Sequence, residues 1–223
     1  MSTPHGSYDE KQPAIAAPAL DTAALQVVGE EGCRLVDGAA CSLVVLRRCQ
    51  MSGYEAEDVL FDRVLGEHAN LSQNTLSLVQ MLDCRWQTCD VANSTFAKAH
   101  LRRVEFVGCR MVGVALTEAD VQDTLLHRCQ ADMSRFWECR FKAVRFARCS
   151  LRQASFAGSR LAGVVFRDCD LSQADFRGAR LQGADLRGSS LEGVQAEVAD
   201  LRGALIDAGQ AVQLARVFGL VVE

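Results

Sequence analysis

Residues 170–188 read DLSQADFRGARLQGADLRG. Every fifth residue from Leu171 is large and apolar: Leu171, Phe176, Leu181 and Leu186. Every fifth from Cys169 is small: Cys169, Ala174, Ala179 and Ala184. An α-helix repeats at about 3.6 residues and a flat strand at about two, so neither explains a period of five. Residues two apart on extended backbone share a face, so the large residue (position i) and the small one (i−2) point the same way. Outward from this stretch, the large position recurs without a slip from Cys41 to Ile206, through Phe61, Trp86, Phe106, Phe136, Phe146 and Phe166 among others. The i−2 residues Cys84, Ser94, Ala99 and Val104 stay small. Arg, Asp, Glu and Gln fall almost entirely at the other three positions. Glycine clusters at i+2 (Gly158, Gly163, Gly178, Gly183), where a turn needing positive φ accepts it without steric cost.

The pattern approaches A-[D/N]-[L/F]-x-x, and Ala174–Gly178 and Ala184–Gly188 match it residue for residue. It resembles the pentapeptide-repeat family. That resemblance implies an all-β, right-handed, quadrilateral parallel β-helix, with one pentapeptide per side and about twenty residues per coil. Residues twenty apart should then stack, and the sequence carries an internal check. Cys89, Cys109, Cys129, Cys149 and Cys169 are spaced by twenty, with Cys49 in the same column. Sizes also compensate between tiers: Gly66 leaves an inward site empty one coil from Trp86, and the bulky Tyr54 precedes the small Ala56.

The predicted organisation is a flexible N-terminal tail over 1–20, a repeat β-helix over 21–206 with an irregular first coil, and a C-terminal cap over 207–223. The tail holds all three prolines, Pro4, Pro13 and Pro18, and lacks the charged and apolar regions of a secretory signal. In the cap, Asp207 reads as a helix N-cap and Gly219 as the residue past its end. Ala211, Leu214, Ala215 and Phe218 share one helical face between them, and Leu220–Val222 is predicted to form a short terminal strand.

Composition narrows the functional classes. The 223 residues are 49% hydrophobic but only 6% aromatic, so the core is built from small and aliphatic side chains. A net charge of −4 argues against direct nucleic-acid binding, and no apolar run reaches membrane-span length. Without an export signal, the ten cysteines point to a reducing cytoplasm rather than a disulfide framework. In the stacked column they read as buried filler, since cysteine packs as a small hydrophobe and alternates there with alanine. No metal, cofactor or catalytic motif emerges. His68, His100 and His127 fall at different repeat positions, and no enzyme is expected.

Charge is distributed unevenly. Residues 1–100 carry a net −6, residues 101–187 a net +5 and residues 188–223 a net −3. The acidic part includes Glu55, Glu57, Asp58 and Asp62. In the basic part Arg140, Arg160 and Arg180 share one column between Asp120 and Asp200. The column reads either as an anion-binding stripe or as a device for solubility and edge protection. Trp137, outward-facing near Met133, is a candidate partner contact.

The end of the chain carries a second resemblance. From Asp200, DLRGALIDAGQAVQLARVFGLVVE resembles the last repeat and cap of the quinolone-resistance (Qnr) and MfpA proteins, through Asp200, Leu201, Gly203, Asp207, Gln210, Ala211, Leu214, Gly219, Leu220 and Val222. It implies a homodimer joined through Ala211, Leu214, Ala215, Phe218, Leu220 and Val222. It also implies a rod that binds DNA gyrase or topoisomerase IV by imitating duplex DNA. The alternative is a structural interaction module for an unrelated protein.

Overall fold

The structure, a computed structural model, describes residues 14–30 and 32–222. Its strands are β1 Gln26–Val28, β2 Ala40–Arg47, β3 Glu55–Glu57, β4 Leu60–Glu67, β5 Thr75–Ser77, β6 Gln80–Gln87, β7 Thr95–Ala97, β8 His100–Val107, β9 Ala115–Thr117, β10 Asp120–His127, β11 Arg135–Trp137, β12 Arg140–Ala147 and β13 Val165–Arg167. They form two parallel sheets, ordered β1-β2-β4-β6-β8-β10-β12-β13 and β11-β9-β7-β5-β3. From β2 onward the register between successive coils is twenty, as Asp120 pairs with Arg140 and Phe96 with Leu116, whereas β1 pairs with β2 at eighteen. Beyond β12 the ladder continues as single bridges such as Ser155–Asp175 and Val165–Asp185.

The coil is four-sided because its backbone turns left-handed at every i+2 residue from Leu43 to Gly193. Asp58, Arg63, His68 and Gln73 have φ of 54°, 53°, 54° and 59° within one coil. Each long strand therefore covers two sides, with a corner where the pairing skips a residue: Ser42 pairs with Asp62 and Val44 with Val64, but Leu43 and Arg63 are passed over. Glycine fills only some corners. Gly178 and Gly183, at φ of 71° and 73°, occupy the same conformation without the penalty a Cβ brings.

Side chains at i and i−2 fill the shaft. Trp86, Phe61, Phe146, Phe156, Phe166 and Phe176 are among the largest fully buried residues. Rings twenty apart stack nearly parallel: Phe136 on Phe156 at 5.0 Å, Phe156 on Phe176 at 5.3 Å and Phe146 on Phe166 at 4.9 Å between centroids. These distances follow the rise of one coil, since strand-to-strand spacing is about 4.8 Å. An apolar void of about 30 Å³ runs between Trp86, Leu101, Phe106 and Leu126.

The cysteine column is buried as expected, and the structure shows why cysteine suits it. The thiols of Cys109, Cys129 and Cys149 donate to the carbonyls of Trp86, Phe106 and Leu126, at 3.3, 3.4 and 3.4 Å. Ser94 and Ser134 donate to Leu71 and Met111 in the same way. Each donor reaches the carbonyl 23 residues back, so i−2 accepts any small side chain and favours one with a weak donor. Burial pushes the Cys84 thiol up to about 12 and the Cys139 thiol to about 11, which keeps both protonated and unreactive at neutral pH. Cys33 and Cys41 lie outside that column and depart from the expectation of unpaired thiols. They are paired across the irregular first coil with Cα atoms 6.2 Å apart, within disulfide range.

Both ends are closed by non-repeating chain. At the first coil, β1 pairs with Val44–Leu46, Leu35 is buried, and the Glu57 N–H donates to Asp37 Oδ1. The arm before it runs back along the rod, and the Ala19 N–H donates to Asp83 Oδ1 at 2.9 Å. The expected tail thus docks before residue 21, while its residues 1–13 lie outside the described residues. At the far end, helix α1 (Ala208–Val217) begins with a capping box between Asp207 and Gln210. It ends in a left-handed Gly219, with N–H bonds from Gly219 to Arg216 and from Leu220 to Ala215. The terminal strand does not form. Leu220 and Val221 are exposed, and no ladder reaches Leu220–Val222, because the glycine turn leads the chain away from the last coil. The inward series also thins before its period does. Leu191 is buried, Leu201 half-buried and Ile206 exposed, since no further coil covers them and α1 contributes only the buried Leu214 and the half-buried Val217 to the apolar packing.

Candidate functional site

The interior is sealed and its polar groups are largely tied to backbone, so recognition falls to the outward columns. Among the described residues no group of three His, Cys, Asp or Glu side chains could hold a metal ion. No described helix is long and apolar enough to cross a membrane.

Trp137 ends β11 on the side formed by the short strands. Its outward neighbours down the column, Thr117 and Ala97, are small. The ring stays 42% exposed. It is nonetheless held: Nε1–H donates to Ser155 Oγ at 2.9 Å, and the Arg135 guanidinium sits 5.5 Å from the ring centroid. Met133, at the preceding corner, is 54% exposed. Arg135 escaped the sequence reading, although the strand period places it on the same side as Trp137, two residues away.

The four acids do not gather into one patch. Glu55 and Glu57 flank buried Ala56 on β3, Asp58 occupies the corner, and Asp62 lies round that corner beside Arg63, 2.8 Å away. Glu57 accepts from the Ser77 hydroxyl and Asp58 from the Gln80 amide. Asp62 is thus half neutralised, and Glu55, Glu57 and Asp58 form the acidic part of this end.

The arginine column is brought together. Arg140 bridges Arg160, and Arg160 bridges Arg180. All three side chains are exposed. Arg140 reaches Asp120 at 3.6 Å, whereas Arg160 and Arg180 have no ion pair among the described residues. Other arginines behave differently. Arg177 and Arg187 fold back onto Asp175 and Asp185 two residues earlier, each through a bidentate fork, so the Asp-x-Arg of the repeat is a turn staple.

At the C-terminal end the predicted dimer residues divide. Leu214 is buried in its own chain at 8% exposure and is unavailable to a second copy. Ala215 is half-buried, and Ala211, Phe218, Leu220 and Val222 are exposed. Sequence reasoning missed Val198, Leu205 and Val221, which are also exposed there.

The sequence pattern of the pentapeptide repeat region matches residues 79–156 and 132–206, more than half of the chain. The chain belongs to the pentapeptide-repeat family. No curated protein sequence matches this pentapeptide-repeat protein. Its fold is similar to that of HetL, a pentapeptide-repeat protein involved in heterocyst differentiation regulation from the cyanobacterium Nostoc sp. strain PCC 7120. The identity is 19%, the TM-score 0.50, and the match covers 79% of this chain and 90% of HetL. A trypsin-treated form of QnrB1, a plasmid-mediated fluoroquinolone resistance protein, matches at 20% identity and a TM-score of 0.42, over 84% of this chain and 99% of that one. Rfr23 from the cyanobacterium Cyanothece 51142 matches at 13% identity and a TM-score of 0.28, over 77% and 90%. At 19% identity, what HetL shares with this chain is the fold alone.

Proposed function

We propose that this protein is a non-catalytic, cytoplasmic rod that works by binding another protein. The observation that carries this reading is Trp137. A large aromatic ring stands exposed on a flat ladder of small residues, yet Ser155 and Arg135 already hold it in place. An anchor ordered before contact loses little freedom on binding, and tryptophan and arginine are the side chains that most often dominate such contacts. Met133, Arg140, Arg160 and Arg180 extend the surface on either side. The test is capture of the partner by the full chain, compared with Trp137→Ala combined with Arg160→Glu. Capture should fall sharply in the variant, and unchanged capture would remove the surface from consideration.

A topoisomerase partner is the second reading. It is favoured by the Asp200–Val222 run and by the net −6 of residues 1–100, where Glu55, Glu57, Asp58 and Asp62 lie. In this reading a homodimer joined at the C-terminal end presents acidic surface to the DNA-binding saddle of gyrase or topoisomerase IV. Only the acidic end of the rod suits such imitation, since the arginine column has the opposite sign. Purified protein should inhibit gyrase supercoiling or relieve quinolone-stabilised cleavage. If micromolar protein leaves both untouched, this reading fails and the more general one stands.

A further inference from the structure

We infer that Arg140, Arg160 and Arg180 form a docking ridge for an acidic α-helix of a partner protein. The inference rests on the protein-binding reading and specifies the partner's chemistry.

The ridge stands clear of its surroundings. On one side the next outward residues are Lys142, Ala162 and Gln182, with corners at Ala143, Gly163 and Gly183. On the other side the corners at Arg160 and Arg180 are Gly158 and Gly178, and a Cβ added to Gly178 would meet only the backbone of Gly158, at 3.6 Å. A Cβ on Gly163 would meet nothing within 4 Å. Arg160 and Arg180 therefore rise between glycine corners on both sides, with Ala162 and Gln182 the outward residues on one flank and Glu138, the corner at Arg140, reaching toward Gly158 on the other; a partner's backbone can approach most closely beside Arg180. Their guanidinium forks are free to take carboxylates in bidentate fashion.

Spacing selects the partner. Each coil rises about 4.8 Å, so the three arginines span roughly 10 Å along the rod. An α-helix rises about 1.5 Å per residue, placing carboxylates at i, i+3 and i+7 about 4.5 and 10.5 Å along its axis. An extended strand places same-face residues about 6.8 Å apart, or roughly 13.5 Å over two steps, and falls out of register. A nucleic acid fits less well, because its charges continue. Asp120 lies directly before Arg140 and Asp200 follows Arg180, so a longer polyanion would meet acid at both ends.

The test uses the full-length protein and a fluorescein-labelled alanine-rich peptide with glutamates at i, i+3 and i+7. An isomeric peptide of the same composition spreads its glutamates around the helix. Anisotropy should show the aligned peptide binding at least about tenfold more tightly than its isomer, with affinity falling as salt rises. Arg160→Gln with Arg180→Gln should abolish the preference, whereas Arg48→Gln, at the other end of the rod, should leave it intact. Circular dichroism checks that the variants fold. Equal binding of the two peptides overturns the helix assignment. An oligonucleotide that binds more tightly than the aligned peptide overturns it in favour of nucleic acid. No binding of either peptide overturns the ridge, while loss of partner capture on Trp137→Ala alone would show the protein-binding reading surviving without it.

Discussion

Gly66 and Trp86 are paired across adjacent coils, and each has the size the other permits. A Cβ on Gly66 would come within 2.7 Å of Trp86 Cζ3, and closer still to Cε3. The indole, 1% exposed, lies edge-on to Phe61 at 5.4 Å and fills the space that glycine leaves. Packing in this shaft is therefore decided between tiers twenty residues apart.

Gly66→Ala should then destabilise the protein by about 1–3 kcal/mol through overpacking. The φ of Gly66 is not positive, so backbone strain contributes nothing to that cost. In a Trp86→Leu background the same substitution should cost much less. Urea denaturation of the four proteins in the cycle measures the coupling. Simple additivity would show that the ring yields to the methyl group.

Gln210 is the joint between the rod and its cap. Its side-chain amide donates to the carbonyls of Ser189, at 2.7 Å, and Leu186, and its side-chain oxygen accepts from the Asp207 N–H. Gln210→Ala takes the amide donor from the Ser189 carbonyl and one of two donors from the Leu186 carbonyl, which still accepts from the Ser189 N–H, at a cost of about 1–3 kcal/mol. Hydrogen exchange should quicken in residues 186–194 and remain slow near Phe136. Uniform quickening along the rod would mean that the ends are not independent of the middle.

Acid should loosen the fold through a few carboxylates. The Arg103 guanidinium beside Asp83, the Arg177 guanidinium beside Asp175 and the Gln210 N–H at Asp207 hold these groups below the usual carboxylate range. A depressed folded pKa contributes stability that is present above the unfolded value of about 4 and is lost as pH falls through the folded value. The urea midpoint should fall once the pH drops below about 4. Asp83→Ala should flatten that fall and expose the docked arm around Pro18 to proteases. An unchanged acid limb would show that the Asp83–Arg103 pair contributes nothing measurable.

At the C-terminal end Phe218, Leu220 and Val221 are 37%, 62% and 88% exposed. Large apolar side chains exposed this close together in sequence are candidates for cover by a second copy. Light scattering should find a dimer, and Phe218→Glu should give monomers without loss of the helix. A monomeric wild type would reduce α1 to a cap and remove the dimer from the topoisomerase reading.

Much of the architecture is legible in the linear order of residues, because one spacing rule governs it. Where i and i−2 point inward, the period of five sets the sides and the cysteine spacing of twenty sets the tiers. The resemblance that named the fold added the closure into four sides. Asp207 and Gly219 marked the helix ends through local chemistry that needs no distant partner. What the order of residues could not convey is which outward groups meet. Arg160 and Arg177 are both exposed arginines of the repeat, yet Arg177 is consumed by Asp175 while Arg160 has no ion pair among the described residues, a distinction made by side-chain reach across a corner. Glu55 and Asp62 are neighbours in sequence but lie on different sides of the rod. Leu214 shares a helical face with Phe218, yet one seals the core and the other faces solvent. The arm that reaches Asp83 from Ala19, 64 residues away, follows no repeat at all. Periodicity determines what happens inside the shaft, where every coil meets the same neighbours. The ends, the corners and the pairing of surface charge depend on contacts that occur once, and only the folded chain brings those together.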